Sequence, residues 1–81
     1  MRMTVCVVRD RAADVFGRPI FAVSRGQAVR SFTDQVNEKG SELNKHPKDY
    51  ELYLLGEYDD GSGQFICGVP EMISRGEDVV V

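Results

Sequence analysis

The sequence has no tryptophan, one histidine and two cysteines among its 81 residues. Cys6 and Cys67 lie near opposite ends of the chain and form no Cys-x-x-Cys spacing, so no disulfide scaffold is indicated. His46 has no second histidine or cysteine at ligand spacing. We therefore expect no metal site, no cofactor and no enzymatic activity. We expect both cysteines to be small buried side chains on strands, because free cysteine is usually buried.

Long apolar runs are also missing. No stretch approaches the roughly 20 residues that a helix needs to cross a bilayer. The apolar segment after Met3 reaches Asp10 without the small-residue cleavage site of a signal peptide. We therefore expect no membrane association and a cytoplasmic location. Two independent cores cannot be built from so short a chain, so a single domain over residues 1–81 is predicted.

Positive charge is scarce in the second half of the chain. Residues 49–81 contain one cation, Arg75, against eight acidic residues, whereas residues 1–48 contain nine cations against five. The halves therefore carry +4 and −7, and the whole chain carries −3. Arginine is suited to bidentate recognition of phosphate, but a net negative charge opposes nonspecific affinity for nucleic acid.

Four segments have the composition of strands. Thr4–Arg9 is rich in β-branched residues and apolar on both faces, which predicts a strand in the middle of a sheet. Ile20–Val23 predicts a short second strand. Tyr50–Asp59 and Gln64–Val69 predict a hairpin, because the glycines of Asp59–Gly63 suit the turn between them.

The connecting segments are less regular. Asp10–Pro19 predicts an irregular excursion with a short turn near Ala13. Ser41–Asp49 predicts a loop or one helical turn, and Pro70–Asp78 predicts a turn or tail. The final Val79–Val81 is expected either to add a short edge strand or to dock on a partner.

A helix is predicted over Arg25–Lys39. Ser24 and Gln27 form the pattern of a capping box, in which two orphan amides are satisfied reciprocally. Gly40 follows as a C-terminal cap. Apolar residues recur at helical spacing on one side of this segment: Ala28, Val29, Phe32 and Val36.

The predicted fold is α+β, with a mostly antiparallel sheet of about four strands and one long helix packed on one face, in the order β-β-α-β-β. One helix covers only one face of such a sheet. The other face should present either Cys6, Val8, Tyr53 and Leu55 or the alternate set. An uncovered apolar face predicts a homo-oligomer or an obligate partner, unless the connecting loops fold back over it.

An anion-binding site is the one chemical site that the sequence suggests. The start of the predicted helix presents free amides, and Phe16 or Phe21 is available for base stacking. Ordinary solvated arginines near a capped helix are the alternative. The candidate nucleic-acid-binding residues are Arg9, Arg11, Arg18, Arg25 and Arg30.

Residues 46–59 carry the pattern Pro-x-Asp-Tyr-x-Leu-Tyr-x-x-Gly-x-aromatic-Asp. Together with the apolar first strand, the helical segment Gln27–Phe32 and the pair Val36–Asn37, this pattern resembles the small nonstructural protein family of gokushoviruses. These are single-stranded DNA phages of the microvirus family. The resemblance covers nearly the whole chain, but Val79–Val81 matches no part of it.

The resemblance implies a nonstructural phage protein made in the bacterial cytoplasm. It implies a role in viral DNA replication, or in the switch from duplex replication to single-strand synthesis and packaging. It transfers no catalytic residues. The signature positions Tyr50, Tyr53 and Gly56 are also open to a structural explanation, as tyrosines packed under the helix and a glycine where a strand bends.

Two functions remain open from the sequence. The first is a nucleic-acid-associated regulator whose amino-terminal arginines engage phosphates of single-stranded DNA, in which case binding should weaken steeply with salt. The second is an interaction module that binds a viral replication or assembly protein through the apolar sheet face. In both cases we expect a homo-oligomer.

Overall fold

The computed structural model describes residues 1–81. Its secondary-structure elements, in chain order, are β1 (Arg2–Asp10), β2 (Val15–Phe16), β3 (Ile20–Ala22), α1 (Arg25–Val36), α2 (Glu42–Lys45), a 3-10 turn (Pro47–Asp49), β4 (Tyr50–Asp59), β5 (Gln64–Arg75) and α3 (Gly76–Val79).

The strands form one antiparallel sheet with the order β2-β1-β4-β5, and β3 also pairs with β1. β1 is central because it is apolar on both faces, as its sequence predicts. It pairs with β4 along its entire length, from Arg2 opposite Asp59 to Asp10 opposite Tyr50. The predicted α+β class with a mostly antiparallel sheet is confirmed.

The core lies between α1 and one face of the sheet. Its buried members are Cys6, Ala22, Ala28, Phe32, Val36 and Leu52, and Val8, Tyr50 and Leu54 pack against them. Full burial of each large apolar side chain in this layer contributes about 1.5–3 kcal/mol before conformational entropy is subtracted. Burial also raises the pKa of the Tyr50 hydroxyl.

Helix α1 begins as predicted and ends earlier than predicted. Ser24 Oγ accepts a hydrogen bond from the Gln27 amide at 3.1 Å, and Gln27 Oε1 accepts one from the Val23 amide at 2.6 Å, so the predicted N-cap forms but the reciprocal bond involves the residue before the N-cap rather than Ser24 itself. The helix ends at Val36 rather than Lys39 because Asn37 leaves the helical path. Its side-chain amide donates to the carbonyl oxygens of Thr33 and Val79, which ties α1 to the end of the chain.

The prediction of a turn or tail over Pro70–Asp78 is wrong. β5 continues through this segment to Arg75. The pairing with β4 passes from Cys67 opposite Gly56 to Glu71 opposite Leu54, so residues 68–70 bulge out of the ladder. Pro70 lacks an amide donor, and a bulge is a position in a sheet that tolerates this lack.

Two other segments also differ from expectation. Val15–Phe16 pairs with Arg9 and Asp10 as a short strand inside the predicted irregular excursion. Val79–Val81 adds no edge strand; instead the Val81 amide donates to Asn37 Oδ1 at 2.9 Å. The 41–49 segment agrees with the predicted loop or helical turn, since it forms one short helix and the 3-10 turn. No helix in the structure combines the length and the apolar character that crossing a membrane requires.

The hairpin between β4 and β5 contains an acid-sensitive contact. Asp59 Oδ1 accepts a hydrogen bond from the Gly61 amide at 2.9 Å, and this bond lowers the pKa of the Asp59 carboxyl below its ordinary 3.8. The contact therefore stabilises the fold above the unfolded-state pKa, and the contribution is lost as the pH falls through the lower folded-state pKa.

We expect the Gly61 amide resonance to shift on acidification with a midpoint below the ordinary Asp pKa of about 3.9. The measurement is an NMR pH titration of the folded protein. The Asp59→Asn variant should lose this titration, since its side chain stays neutral. A midpoint at or above the ordinary value would contradict the contact.

Candidate functional site

The sheet face that points away from α1 carries most of the aromatic side chains. Residues that are paired across neighbouring strands share a face, so the strand register assigns them. Cys6 and Val8 pack against α1, and Val5 and Val7 therefore point to the opposite side. We call this opposite side the aromatic face; its five aromatic residues are Phe16, Phe21, Tyr53, Tyr58 and Phe65.

The aromatic face is organised in cross-strand rows. At one end Arg9, Glu51 and Arg75 lie side by side on β1, β4 and β5, with Phe16 next to Arg9. The second row contains Val7, Tyr53 and Met72. The third row contains Phe21, Val5, Gly56 and Cys67. The last row contains Met3, Tyr58 and Phe65.

The aromatic rings contact one another in two groups. The Phe16 and Tyr53 rings meet edge to face, with centroids 5.2 Å apart. The Tyr58 ring lies between Phe21 and Phe65, at centroid distances of 5.6 Å and 4.9 Å. Edge-to-face pairs of this kind contribute about 0.5–1.5 kcal/mol beyond the area that they bury. The rings therefore hold each other in place on the sheet.

The rings bury the sheet beneath them and remain open to solvent themselves. Val5 and Val7 are only 1% and 2% exposed, although no helix covers them. Phe16, Phe21 and Phe65 are 45%, 49% and 59% exposed. The expectation that connecting segments fold back is met in part, since Phe16 and Phe21 belong to the segment between β1 and α1. The outer surface of this layer is nevertheless aromatic.

Arg9 lies between Phe16 and Glu51 in the first row. Its guanidinium donates to Asp14 Oδ1 at 2.6 Å and to Glu51 Oε1 at 3.4 Å, and its Cζ lies 5.8 Å from the Phe16 centroid. The hydrogen bond that the guanidinium donates to Asp14 raises the pKa of Arg9. Glu51 is nearly buried, so Arg9 supplies the charge that this carboxylate needs. The two carboxylates offset the charge of Arg9.

The structure does not bring the five predicted arginines together. Arg9 lies on the aromatic face, whereas Arg25 and Arg30 belong to α1 on the other side of the sheet. Arg25 pairs with Glu71 at 3.4 Å. Arg11, Arg18 and Arg30 are exposed and have no carboxylate within ion-pairing distance.

Two of these unpaired arginines belong to the segment between β1 and α1, which also carries Phe16 and Phe21. Arg11 directly follows the end of β1, and its amide donates to the Asp49 carbonyl oxygen at 2.7 Å. Arg18 lies between β2 and β3, where the neighbouring Gly17 amide donates to the Val8 carbonyl oxygen. Arg75 in the first row is paired with Glu77 at 4.0 Å.

The predicted interface set mixes the two faces. Cys6 is fully buried under α1 and Val8 packs beside it, so the placement of these two residues on the uncovered face is wrong. Tyr53 does lie on that face. Leu55 has no partner on β1, because the register passes from Cys6 opposite Leu54 to Val5 opposite Gly56 and leaves Leu55 in a bulge.

The family model for the Phage ORF5 protein matches residues 3–79. The chain belongs to this family. The match spans every strand and α1, and it includes all five rings of the aromatic face. The family resemblance inferred from residues 46–59 is thereby confirmed, and the protein is a bacteriophage protein. No curated protein and no solved structure matches the chain.

The backbone conformation at residue 56 explains why this phage protein needs a glycine in the middle of β4. Its φ is 149°, a conformation that L side chains rarely adopt. A Cβ at this position would overlap the Ile66 carbonyl oxygen and would lie 2.7 Å from the Cys67 Cα. Gly56 thus lets β5 approach β4 closely beside the bulge. The expectation of a glycine where a strand bends agrees with this geometry.

The two cysteines of this family member have different environments. Cys6 is buried in the core, and burial raises the pKa of its thiol. Cys67 is exposed on β5, so the expectation that both cysteines are buried is wrong for Cys67. The difference follows from strand position, because β1 is central whereas β5 is at the edge of the sheet. Both thiols are free.

Sequence reasoning missed Tyr58 and Phe65 as members of the aromatic face. Their pairing across the hairpin was available as a signal, because Tyr58 and Phe65 each lie one residue from the predicted strand ends Asp59 and Gln64. The surface has no pocket, so the candidate site of this phage protein is an open face rather than a cleft.

Proposed function

We propose that this phage protein acts in viral DNA replication, or in the switch to single-strand synthesis and packaging, by binding single-stranded DNA across its aromatic face. The action is a binding role without catalysis, in the cytoplasm of the bacterial host. The observation that carries the proposal is the group of five aromatic side chains on the helix-free side of the sheet. The family membership supports a phage context.

Exposed rings on a sheet suit unpaired bases. Every base has a π-face, and stacking on an aromatic side chain contributes about 1–3 kcal/mol per base with little dependence on sequence. Phe21 and Phe65 are about half exposed, so their outer surfaces are free to receive bases. Duplex DNA keeps its bases stacked on one another, so this surface favours single strands.

The distribution of charge limits how many phosphates take part. Arg9 is neutralised by Asp14 and Glu51, which leaves Arg11 and Arg18 as the unpaired cations of the segment that carries Phe16 and Phe21. Each neutralised phosphate of a single strand contributes about −0.7 to the slope of log affinity against log salt concentration. Two contacts therefore predict a shallow slope of about −1.4, in contrast to the steep slope expected from five engaged arginines.

The test is fluorescence anisotropy with a labelled oligothymidine and a duplex of the same length. We expect the wild-type protein to prefer the single strand, and Phe21→Ala and Phe65→Ala each to weaken binding by about 5- to 150-fold, the equivalent of one lost stacking contact. Val23→Ala is the matched control, because Val23 is exposed and apolar but is not one of the five rings. Equal binding by all variants, or no binding at all, would overturn the proposal.

The second candidate function is an interaction module for a viral replication or assembly protein. The apolar character of the aromatic face and the net charge of −3 favour it. Under this function Tyr53→Asp or Leu55→Asp abolishes association with the protein partner, and Arg18→Ala and Arg25→Ala have little effect. For DNA binding, Arg18→Ala instead weakens affinity and flattens the salt dependence. The Arg18 variant therefore separates the two functions.

A further inference from the structure

β5 is an open edge of the sheet. It pairs with β4 on one side and with no strand on the other. At 12 residues it is the longest strand, and every residue from Gln64 to Met72 is exposed. The opposite edge differs, because the short strands β2 and β3 cover the outer side of β1.

The first part of this edge lacks the features that prevent an open edge strand from pairing with another chain. Edge strands are ordinarily protected by charged side chains, prolines, bulges or short length. Residues 64–70 contain no charged side chain. Pro70 and the bulge at residues 68–70 protect only the following part. Gln64–Cys67 is therefore a regular, uncharged and unpaired strand segment that presents Phe65 on the aromatic face and Ile66 on the other side.

We propose that a second copy of this chain occupies this edge, with the two β5 strands paired antiparallel about a two-fold axis. Such an interface is self-complementary, since the same segment lies on both sides. The uncharged segment sets the register. Pairing centred on Ile66 or Cys67 places only uncharged residues of β5 opposite one another, because residues 64–70 contain no charged side chain.

The two-fold axis that relates antiparallel strands of one sheet stands perpendicular to that sheet. The aromatic faces of both copies therefore lie on the same side of the dimer, and the α1 helices lie on the other. In the register centred on Ile66, Phe65 of each copy lies opposite Cys67 of the other, so the two Phe65 residues are neighbours at the junction, each backed by Tyr58 and Phe21 of its own chain. The dimer thus joins two separate aromatic faces into one continuous surface.

The first test measures mass by sedimentation equilibrium without DNA and with a reductant present. We expect the wild-type chain to be a dimer. Ile66→Lys should raise the dimer dissociation constant by at least about tenfold, because it sets two like charges across the shared edge. Val23→Lys is the matched control: it adds the same charge at an exposed valine outside β5 and should leave the dimer intact. A monomeric wild-type chain, or a dimer unaffected by Ile66→Lys, would overturn the proposal.

The second test uses the wild-type chain and so does not depend on the folding of a variant. Both favoured registers bring Cys67 of one copy close to Cys67 of the other, because the two-fold axis passes within one residue of Cys67. A short bis-maleimide should cross-link the chain into a covalent dimer, and Cys67→Ser should abolish the product. Cys6 is buried and does not contribute. A dimer that resists this cross-linking would show that another surface is shared and would overturn the proposal.

The dimer proposal and the DNA-binding proposal fail independently. Sedimentation and cross-linking are performed without DNA, so a cross-linked dimer that binds no oligothymidine contradicts only the DNA-binding function. A monomer that binds oligothymidine through Phe21 and Phe65 contradicts only the dimer. Neither result is needed to interpret the other.

Discussion

Replacement of Phe32 by alanine should lower the free energy of unfolding by about 3–5 kcal/mol. Phe32 is 2% exposed and is the only aromatic residue in the buried cluster between α1 and the sheet. Its removal leaves a cavity between Cys6 and Leu52 on the sheet and Val36 on the helix. A chain of this size has a total stability of about 4–12 kcal/mol, so the variant should be close to unfolding at room temperature.

The measurement is urea denaturation followed by circular dichroism. Phe65→Ala is the matched control, because it removes the same side chain from the aromatic face, where Phe65 is 59% exposed. It should cost only about 1 kcal/mol, from lost contacts with Tyr58 and Phe21. Equal losses for the two variants would contradict the assignment of the core to the α1 side of the sheet.

Replacement of Gly56 by alanine should destabilise the protein by about 2–6 kcal/mol, from backbone strain and overpacking together. The strain arises because the φ of 149° is unfavourable for a residue with a Cβ. The overpacking arises because the new methyl group would meet the Ile66 carbonyl oxygen and the Cys67 backbone. β5 would have to separate from β4 at the bulge, and Tyr58 and Phe65 would lose their register.

Gly68→Ala is the matched control for Gly56→Ala. An added Cβ at Gly68 meets nothing within 4 Å, and this glycine does not have a positive φ. Its substitution should change the free energy of unfolding by less than about 0.5 kcal/mol, as ordinary surface substitutions do. If thermal denaturation shows similar effects at both positions, the close approach of β5 to Gly56 is not what constrains this residue.

The sequence predicted correctly those elements that depend on residues close to one another in the chain. The Ser24 and Gln27 pattern determines the start of α1: Ser24 forms the expected bond with the Gln27 amide, and Gln27 accepts from Val23, one residue before the N-cap. The glycine-containing turn after Asp59 likewise predicts the hairpin, and Gly63 has the positive φ that such turns use. These features depend on neighbours within four residues, so the sequence alone is sufficient to find them.

The extent of β5 could not be predicted in this way. Proline ordinarily ends a strand, and Pro70 is tolerated only because residues 68–70 bulge away from β4. The bulge is a property of the pairing between two strands, and a single segment gives no sign of it. The same reason applies to Val15–Phe16, which is a strand only because Arg9 and Asp10 lie beside it.

The composition of the aromatic face depended on another bulge. Strict alternation along β4 would place Tyr58 on the same side as Leu52 and Leu54, against α1. The bulge at Leu55 inserts one residue and reverses the alternation, so Tyr58 joins Tyr53 on the aromatic face. The sequence therefore predicted an uncovered face and, among its rings, placed only Tyr53 there. Phe16 and Phe21 were identified as stacking residues, but Tyr58 and Phe65, which complete the group, were not.

The most direct test of the account is an aromatic carbon–proton NMR titration of the protein with oligothymidine. We expect the resonances of the five rings of the aromatic face to shift together and saturably, while those of Phe32 in the core and Tyr50 on the α1 side stay in place. Shifts confined to Phe32 and Tyr50 on the α1 side, or no shifts at saturating oligonucleotide, would contradict the claim that single-stranded DNA binds to this face.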